Sequence, residues 1–219
     1  MPVLLLRLRP DTRHPLCYAN RVPNLVVIAG PNGSGKSTTA PRLLRDTLKV
    51  DDFINADAIA GGLSAFAPER VAFPAGRIML RRMRELAAAG ADFALESTLS
   101  SRSLAPWIAR LQAESYLFHL IYLWLSSEDL AVQRVAERVR QGGHDVPAAI
   151  VRRRYSRSLG NFFNIYRPIA DSWLMLDNSS VDALNPIAWR NVGSPVQIVK
   201  SGPWDRLRKE YEKDIFQKR

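Results

Sequence analysis

The stretch "GPNGSGKST" at 30–38 follows the apolar run "NLVVIA" and places Gly30, Gly35, Lys36 and Ser37 at the spacing G-x-x-x-x-G-K-[ST]. Glycines let the backbone curl so that several N–H groups point inward. A helix starting at the end of such a loop adds partial positive charge. The Lys36 ammonium can reach β- and γ-phosphates, and the Ser37 hydroxyl can ligate Mg²⁺. The expectation is a site for ATP (or GTP) and Mg²⁺ built from Gly30, Pro31, Asn32, Gly33, Ser34, Gly35, Lys36, Ser37 and Thr38, with Ser37 on the metal.

Two carboxylates complete the candidate chemistry. Asp57 closes the short apolar segment "FINAD", 21 residues after Lys36. If that segment is a strand of a parallel sheet, Asp57 faces the crevice at the strand's C-terminal end. There it could take a proton from a substrate hydroxyl. Capping the helix that follows is an equal alternative. Glu96 stands near the end of "DFALEST", with Thr98 two residues on. It could bond a substrate hydroxyl, hold a metal-bound water, or cap the next element. A buried glutamate needs a partner, which favours a functional role. Asp177 in "WLMLDNSS" is a further acidic candidate, late in the chain.

A third group is basic. Much of the positive charge lies at 134–157, "RVAERVRQGGHDVPAAIVRRRYSR". Val132, Val135 and Val139 make one helical apolar stripe, with Arg134 and Arg138 off it. Val151, Tyr155, Leu159 and Phe162 make the next, from which Arg153 and Arg157 project while Arg152 and Arg154 flank it. The turn "GGHDVP" between them allows a lid, whose arginines could neutralise a transferring phosphoryl group. A solvated positive face is the plainer alternative. His144 and Asp145 in that turn are as fitting for capping as for a substrate contact.

Short strands must alternate with helices to position these groups. Strands are expected at "NLVVIAG", "FINAD", "DFALEST", "YLFHLIYLWLS" and "WLMLDNSS", with a hairpin at "IAWRNVGSPVQIVK" and a last helix after it. Pro74 is expected to kink or divide the helix of 68–90, and Ser103 and Ser127 to start the next two helices. This alternation implies an α/β domain with a mostly parallel central sheet covered on both faces. Residues 1–23, with four prolines, are expected to form an arm.

Composition bounds the rest. The chain has 219 residues, room for one domain with a sizeable core. No apolar run approaches the roughly 18 residues of a membrane span, and the N-terminus does not read as a signal peptide. The lone Cys17 cannot form an internal disulfide, which fits a cytoplasmic location. The net charge of +10 would suit nucleic acid. No nucleic-acid-binding motif accompanies it, so nucleic acid is not the expected partner; a nucleic-acid-stimulated ATPase, or a kinase of another small hydroxyl compound, stands as the alternative.

The ordered pieces "GPNGSGKST", "NADAIAGGLS", "FALESTLS", "RVAERVRQGGHDVP", "RRRYSRSLGN" and "DNS", from about 25 to 180, resemble the zeta-toxin family, P-loop kinases of bacterial toxin–antitoxin systems. The resemblance implies a three-layer P-loop kinase fold at 24–219 with a helical lid at about 134–160. It implies ATP-dependent phosphorylation of a nucleotide sugar, UDP-N-acetylglucosamine at its 3′-hydroxyl being the best known substrate, and an antitoxin as partner. Carried onto this chain, Lys36 and Ser37 match the ATP and Mg²⁺ positions, Asp57 the catalytic Asp, and Glu96 the acidic substrate contact, with Thr98 beside it. Arg138 and Arg153 are the lid arginines assigned to catalysis. The lid differs from that of the best known toxins, and the chain lacks long insertions around the sugar site.

Overall fold

A computed structural model describes residues 22–143, 145–180 and 184–213. The expected arm up to residue 21, with Cys17, and His144 of the turn lie outside the described residues.

Strand β1 (Asn24–Ala29) is the axis of the fold, and all six of its residues are buried. It pairs in parallel with β3 (Phe93–Ser97) on one side and β4 (Leu117–Trp124) on the other. Strand β2 (Asp52–Ile54) adds outside β3, and β5 (Ser172–Asp177) outside β4, both parallel. The expected hairpin follows as β6 (Asn185–Arg190) and β7 (Gln197–Ile198), which are antiparallel. The sheet order is β2-β3-β1-β4-β5-β6-β7.

Both faces of the sheet are covered, as continuous apolar strands require. Because side chains alternate along a strand, Leu25, Val27 and Ala29 point into one cluster with Phe93, Leu95, Tyr122 and Trp173. Val26 and Ile28 point into the other, against Ala40 and Leu44. Those two lie on α1 (Lys36–Pro41) and the wider π-helical turns 42–48 that prolong it. The remaining α-helices are α2 (Ala56–Leu63), α3 (Ala72–Ala88), α4 (Leu104–Ala113), α5 (Glu128–Arg140), α6 (Ala148–Asn161), prolonged by π-helical turns at Phe162–Tyr166, the single turn α7 (Arg167–Ile169) and α8 (Ser201–Tyr211). Among the described residues no helix is long and apolar enough to cross a membrane.

The structure sharpens three expectations. The "FINAD" strand stops at Ile54. Asn55 has extended backbone, and its side chain accepts the N–H groups of Asp57 (2.8 Å) and Ala58 (3.1 Å), so it caps α2. Asp57 is therefore in the first turn of a helix, not at a strand end. The segment 68–90 is divided just before Pro74, where a 3-10 helix (Pro68–Val71) gives way to α3, and Pro74 stands past the break. It falls in the first turn of α3, where the missing N–H would have had no helical acceptor. Ser103 occupies the cap position of α4 without a side-chain cap bond, whereas Ser127 does cap α5, accepting from Leu130 N–H at 3.1 Å.

At the end of the sheet opposite the loop, His119 lies buried in β4. It bridges Ser172 (Nδ1, 2.7 Å) and Asn24 (Nε2, 2.9 Å). Burial lowers its pKa to about 4. It is a neutral linker between three strands, which explains the one polar break in "YLFHLIYLWL".

Candidate active site

The loop between β1 and α1 curls as its sequence requires. Gly30 has φ +143°, and a Cβ there would stand 2.3 Å from the Leu123 carbonyl oxygen. Gly35 has φ +81°, and its Cβ would meet Asn178 Nδ2 at 2.6 Å. No other residue type fits either place without displacing backbone or a brace. Lys36 is 6% exposed, and its Nζ donates to Pro31 O at 2.9 Å, folding the ammonium back over the loop.

Beside it, Glu96 Oε2 accepts from Ser37 Oγ at 2.8 Å and from Asn55 Nδ2 at 2.7 Å, while Oε1 is 3.9 Å from Lys36 Nζ. Three elements thus meet on one carboxylate. Burial pushes Glu96 above the usual carboxylate range, against the attraction of Lys36 and the Ser37 hydrogen bond. Burial also lowers Lys36 to about 8, despite the pull of Glu96 and Asp57. The pair is primed for charges that a ligand would bring. Ser37 and Glu96 supply hard oxygen donors side by side, the type that suits Mg²⁺.

A cleft of about 910 Å³ opens over the loop, lined by Lys36, Ser37, Asp57, Glu96, Thr98, Arg134 and Arg138 among others. Asp57 arrives there from the first turn of α2, close enough to act on the charges of both Lys36 and Glu96. Arg138, from the last turns of α5, acts on the same two groups with opposite sign. Thr98 shares a hydrogen bond with Ser100 at 2.8 Å in the turn after β3. In that turn Leu99 is buried with φ +53°, and Asn161 Nδ2 holds its carbonyl at 2.7 Å.

The structure does not bring Arg153 to the cleft. It is exposed on the outer side of α6. Its neighbour Arg154 instead reaches Asn32 Oδ1 of the loop at 3.4 Å, and Arg152 pairs with Glu128 (2.9 Å) and Asp129 (2.6 Å) of α5. Nor do α5 and α6 form a detached lid. Val135, Val151, Tyr155 and Leu159 are part of the main core, the Tyr155 hydroxyl donates to Leu125 O at 2.7 Å, and Tyr122 and Ser158 share a bond at 2.8 Å. In the turn between the helices Val146 packs, partly buried, against the same core.

Three further residues support the site: sequence reasoning assigned Asn178 and Asn55 no role and placed Arg134 only within the basic cluster. Asn178 Nδ2 donates to Ser34 O at 2.8 Å. Arg134 donates to Asn178 O (2.7 Å) and Ser179 O (2.9 Å), fixing that brace. Asn55 is the third. The "DNSS" turn after a strand and the capping preference of Asn were the available signals. Asp177 points elsewhere: it accepts Ser179 N–H and pairs with Lys200 at 3.3 Å. Among the described residues no cluster of three or more His, Cys, Asp or Glu could hold a metal by itself.

A family profile described as "AAA domain" matches residues 25–158, more than half of the chain, from the first buried strand through α6. The chain belongs to this AAA-domain family. A relative of this AAA-domain protein in Haemophilus influenzae is 28% identical over 130 residues, 59% of this chain and 91% of the relative. A solved candidate kinase of Chloroflexus aurantiacus is 18% identical, covers 73% of this chain and 87% of its own, and superposes with a TM-score of 0.56. The AvrRxo1-ORF1:-ORF2 complex with ATP gives 0.67 at 15% identity, over 88% of this chain and 65% of that one. The PezAT toxin–antitoxin system of Streptococcus pneumoniae gives 0.60 at 12% identity, over 90% and 82%. At these identities the likeness is one of fold, shared with a candidate kinase and with a chain of a toxin–antitoxin system.

Proposed function

We propose that this AAA-domain protein is an ATP- and Mg²⁺-dependent kinase that transfers the γ-phosphoryl group to a hydroxyl of a small molecule, with nucleotide sugars, UDP-N-acetylglucosamine first, as the acceptor class. The observation that carries the reading is the convergence of Lys36, Ser37, Glu96, Asp57 and Arg138 on one cleft. A nucleotide hydrolase needs the loop and the metal donors. A second carboxylate that is spent neither on the loop nor on capping its own helix is what an acceptor hydroxyl needs.

In this reading the N–H groups of the loop and Lys36 bind the phosphates, Lys36 exchanging Pro31 O for phosphate oxygen. Ser37 and Glu96 would hold Mg²⁺, which when bound offsets charge between the β- and γ-phosphates. Asp57 accepts the proton of the acceptor hydroxyl. The acceptor oxygen–phosphorus bond forms as the bond from phosphorus to the β–γ bridging oxygen breaks, and ADP leaves. Arg138 faces the charge that develops on the transferring group. The toxin–antitoxin system among the neighbours supports an antitoxin as protein partner.

The test is incubation with ATP, Mg²⁺ and a panel of nucleotide sugars and simple sugar acids, read by mass spectrometry. A product heavier by one phosphate identifies the acceptor. ATP hydrolysis at the same rate with and without every acceptor would contradict the kinase reading.

A further inference from the structure

Outside the cleft, the outward side of α3 carries a straight stripe of four residues: Phe73, Arg77, Leu80 and Arg84. Their spacing of four, three and four keeps them on one face of a helix, opposite the buried Ala75, Met83 and Leu86. The stripe runs about 16 Å. Phe73 is 79% exposed and Leu80 50%, and both arginines are exposed. Among the described residues Arg77 and Arg84 form no ion pair, unlike Arg82, which is tied to Asp52 at 2.8 Å. The approach to α3 exposes further apolar side chains, Leu63 and the fully exposed Phe66. Scattered single exposures need no explanation, but apolar and cationic side chains alternating along one ridge mark an interaction surface.

We infer that this stripe docks an acidic amphipathic helix of a partner protein. Phe73 and Leu80 stand seven residues apart, two helical turns, which is the repeat at which a second helix offers its own apolar side chains. Arg77 and Arg84 interleave with them, so the partner must place carboxylates beside its apolar positions. A second copy of this chain would face arginine with arginine, and the chain's net charge of +10 adds to that repulsion. An anionic lipid surface would also attract the arginines, and the vesicle arm of the experiment separates it from a helix. The inference does not depend on the kinase reading, since none of the four residues lines the cleft.

The probe is a fluorescein-labelled synthetic helical peptide with leucines at seven-residue spacing flanked by glutamates, beside a shuffled peptide of identical composition. Anisotropy should show binding of the patterned peptide only, weakened about tenfold or more by Arg77→Glu/Arg84→Glu and by Phe73→Ser/Leu80→Ser. Both double variants should keep the wild-type melting temperature and ATP turnover. Equal binding of the shuffled peptide, or no loss in the variants, would overturn the inference. So would stripe-dependent binding of phosphatidylglycerol vesicles or of a single-stranded RNA oligonucleotide in place of the peptide.

Discussion

The Ser37 hydroxyl donates to the Glu96 carboxylate across 2.8 Å, tying the first turn of α1 to the end of β3. Two strands laid side by side in register, Ile28 opposite Glu96 and Ala29 opposite Ser97, put the loop's exit and this carboxylate at the same height. In the proposed reading Glu96 helps Ser37 to hold Mg²⁺. Glu96→Gln keeps the shape and one acceptor oxygen but removes the charge. The Mg²⁺ concentration for half-maximal turnover is expected to rise about 10–100-fold, read by titrating Mg²⁺ at saturating ATP.

The Lys36 ammonium should give ATP affinity an alkaline limb. Its pKa in the folded protein is about 8, below its ordinary value because of burial. Phosphate oxygens favour the charged form, so bound nucleotide raises that pKa. Below pH 8 the proton is already present and affinity is flat. Above it, binding must recruit a proton, and affinity should fall by up to about tenfold per pH unit until the bound pKa is passed. Isothermal titration from pH 7 to 9.5 checks this. Lys36→Met should bind weakly and show no such limb, and Lys36→Ala should lose nearly all turnover.

The brace at Asn178 acts through the loop it supports. Asn178→Ala leaves the Ser34 carbonyl without its 2.8 Å partner. A lost bond of that kind is worth about 1 kcal/mol, so KM for ATP should rise about fivefold with kcat little changed. A fall in kcat alone would instead place Asn178 with the transferring group.

For the turn between α5 and α6, ligand protection is the readout. Arg138 and Gln141 line the cleft just before it, whereas α6 is anchored in the core. Limited trypsin digestion should cut near Arg140 in the free protein and be slowed by ATP with Mg²⁺. Equal rates would leave the turn a plain surface connection.

Much of the fold was legible because its strands are either wholly apolar or end at a recognisable turn. The loop signature, the order of the elements and the antiparallel edge all followed from pattern. The details that escaped were set by tertiary choices. Whether "FINAD" ends at Ile54 or Asp57 depends on Asn55 capping α2, which local propensity allows but does not compel. Pro74 marks a boundary, but the break falls before it, at Val71, which leaves Pro74 in the first turn of α3. The arginine meeting the loop is Arg154 rather than Arg153 because the stripe Val151–Tyr155–Leu159 fixes the roll of α6 in the core, and a one-residue step is a rotation of about 100°. Asn178 escaped because its role is to fit against a glycine 143 residues away.

Asp57→Asn tests the central claim most directly. Asn55, not Asp57, caps α2, so the substitution leaves the local fold and the loop's own groups intact. Asparagine keeps the shape and cannot take a proton. Phosphorylation of the acceptor should fall by about 10²–10⁴, while ATP affinity, titrated on the same preparation, stays within about twofold of wild type. Full phosphoryl transfer by the variant would contradict the account.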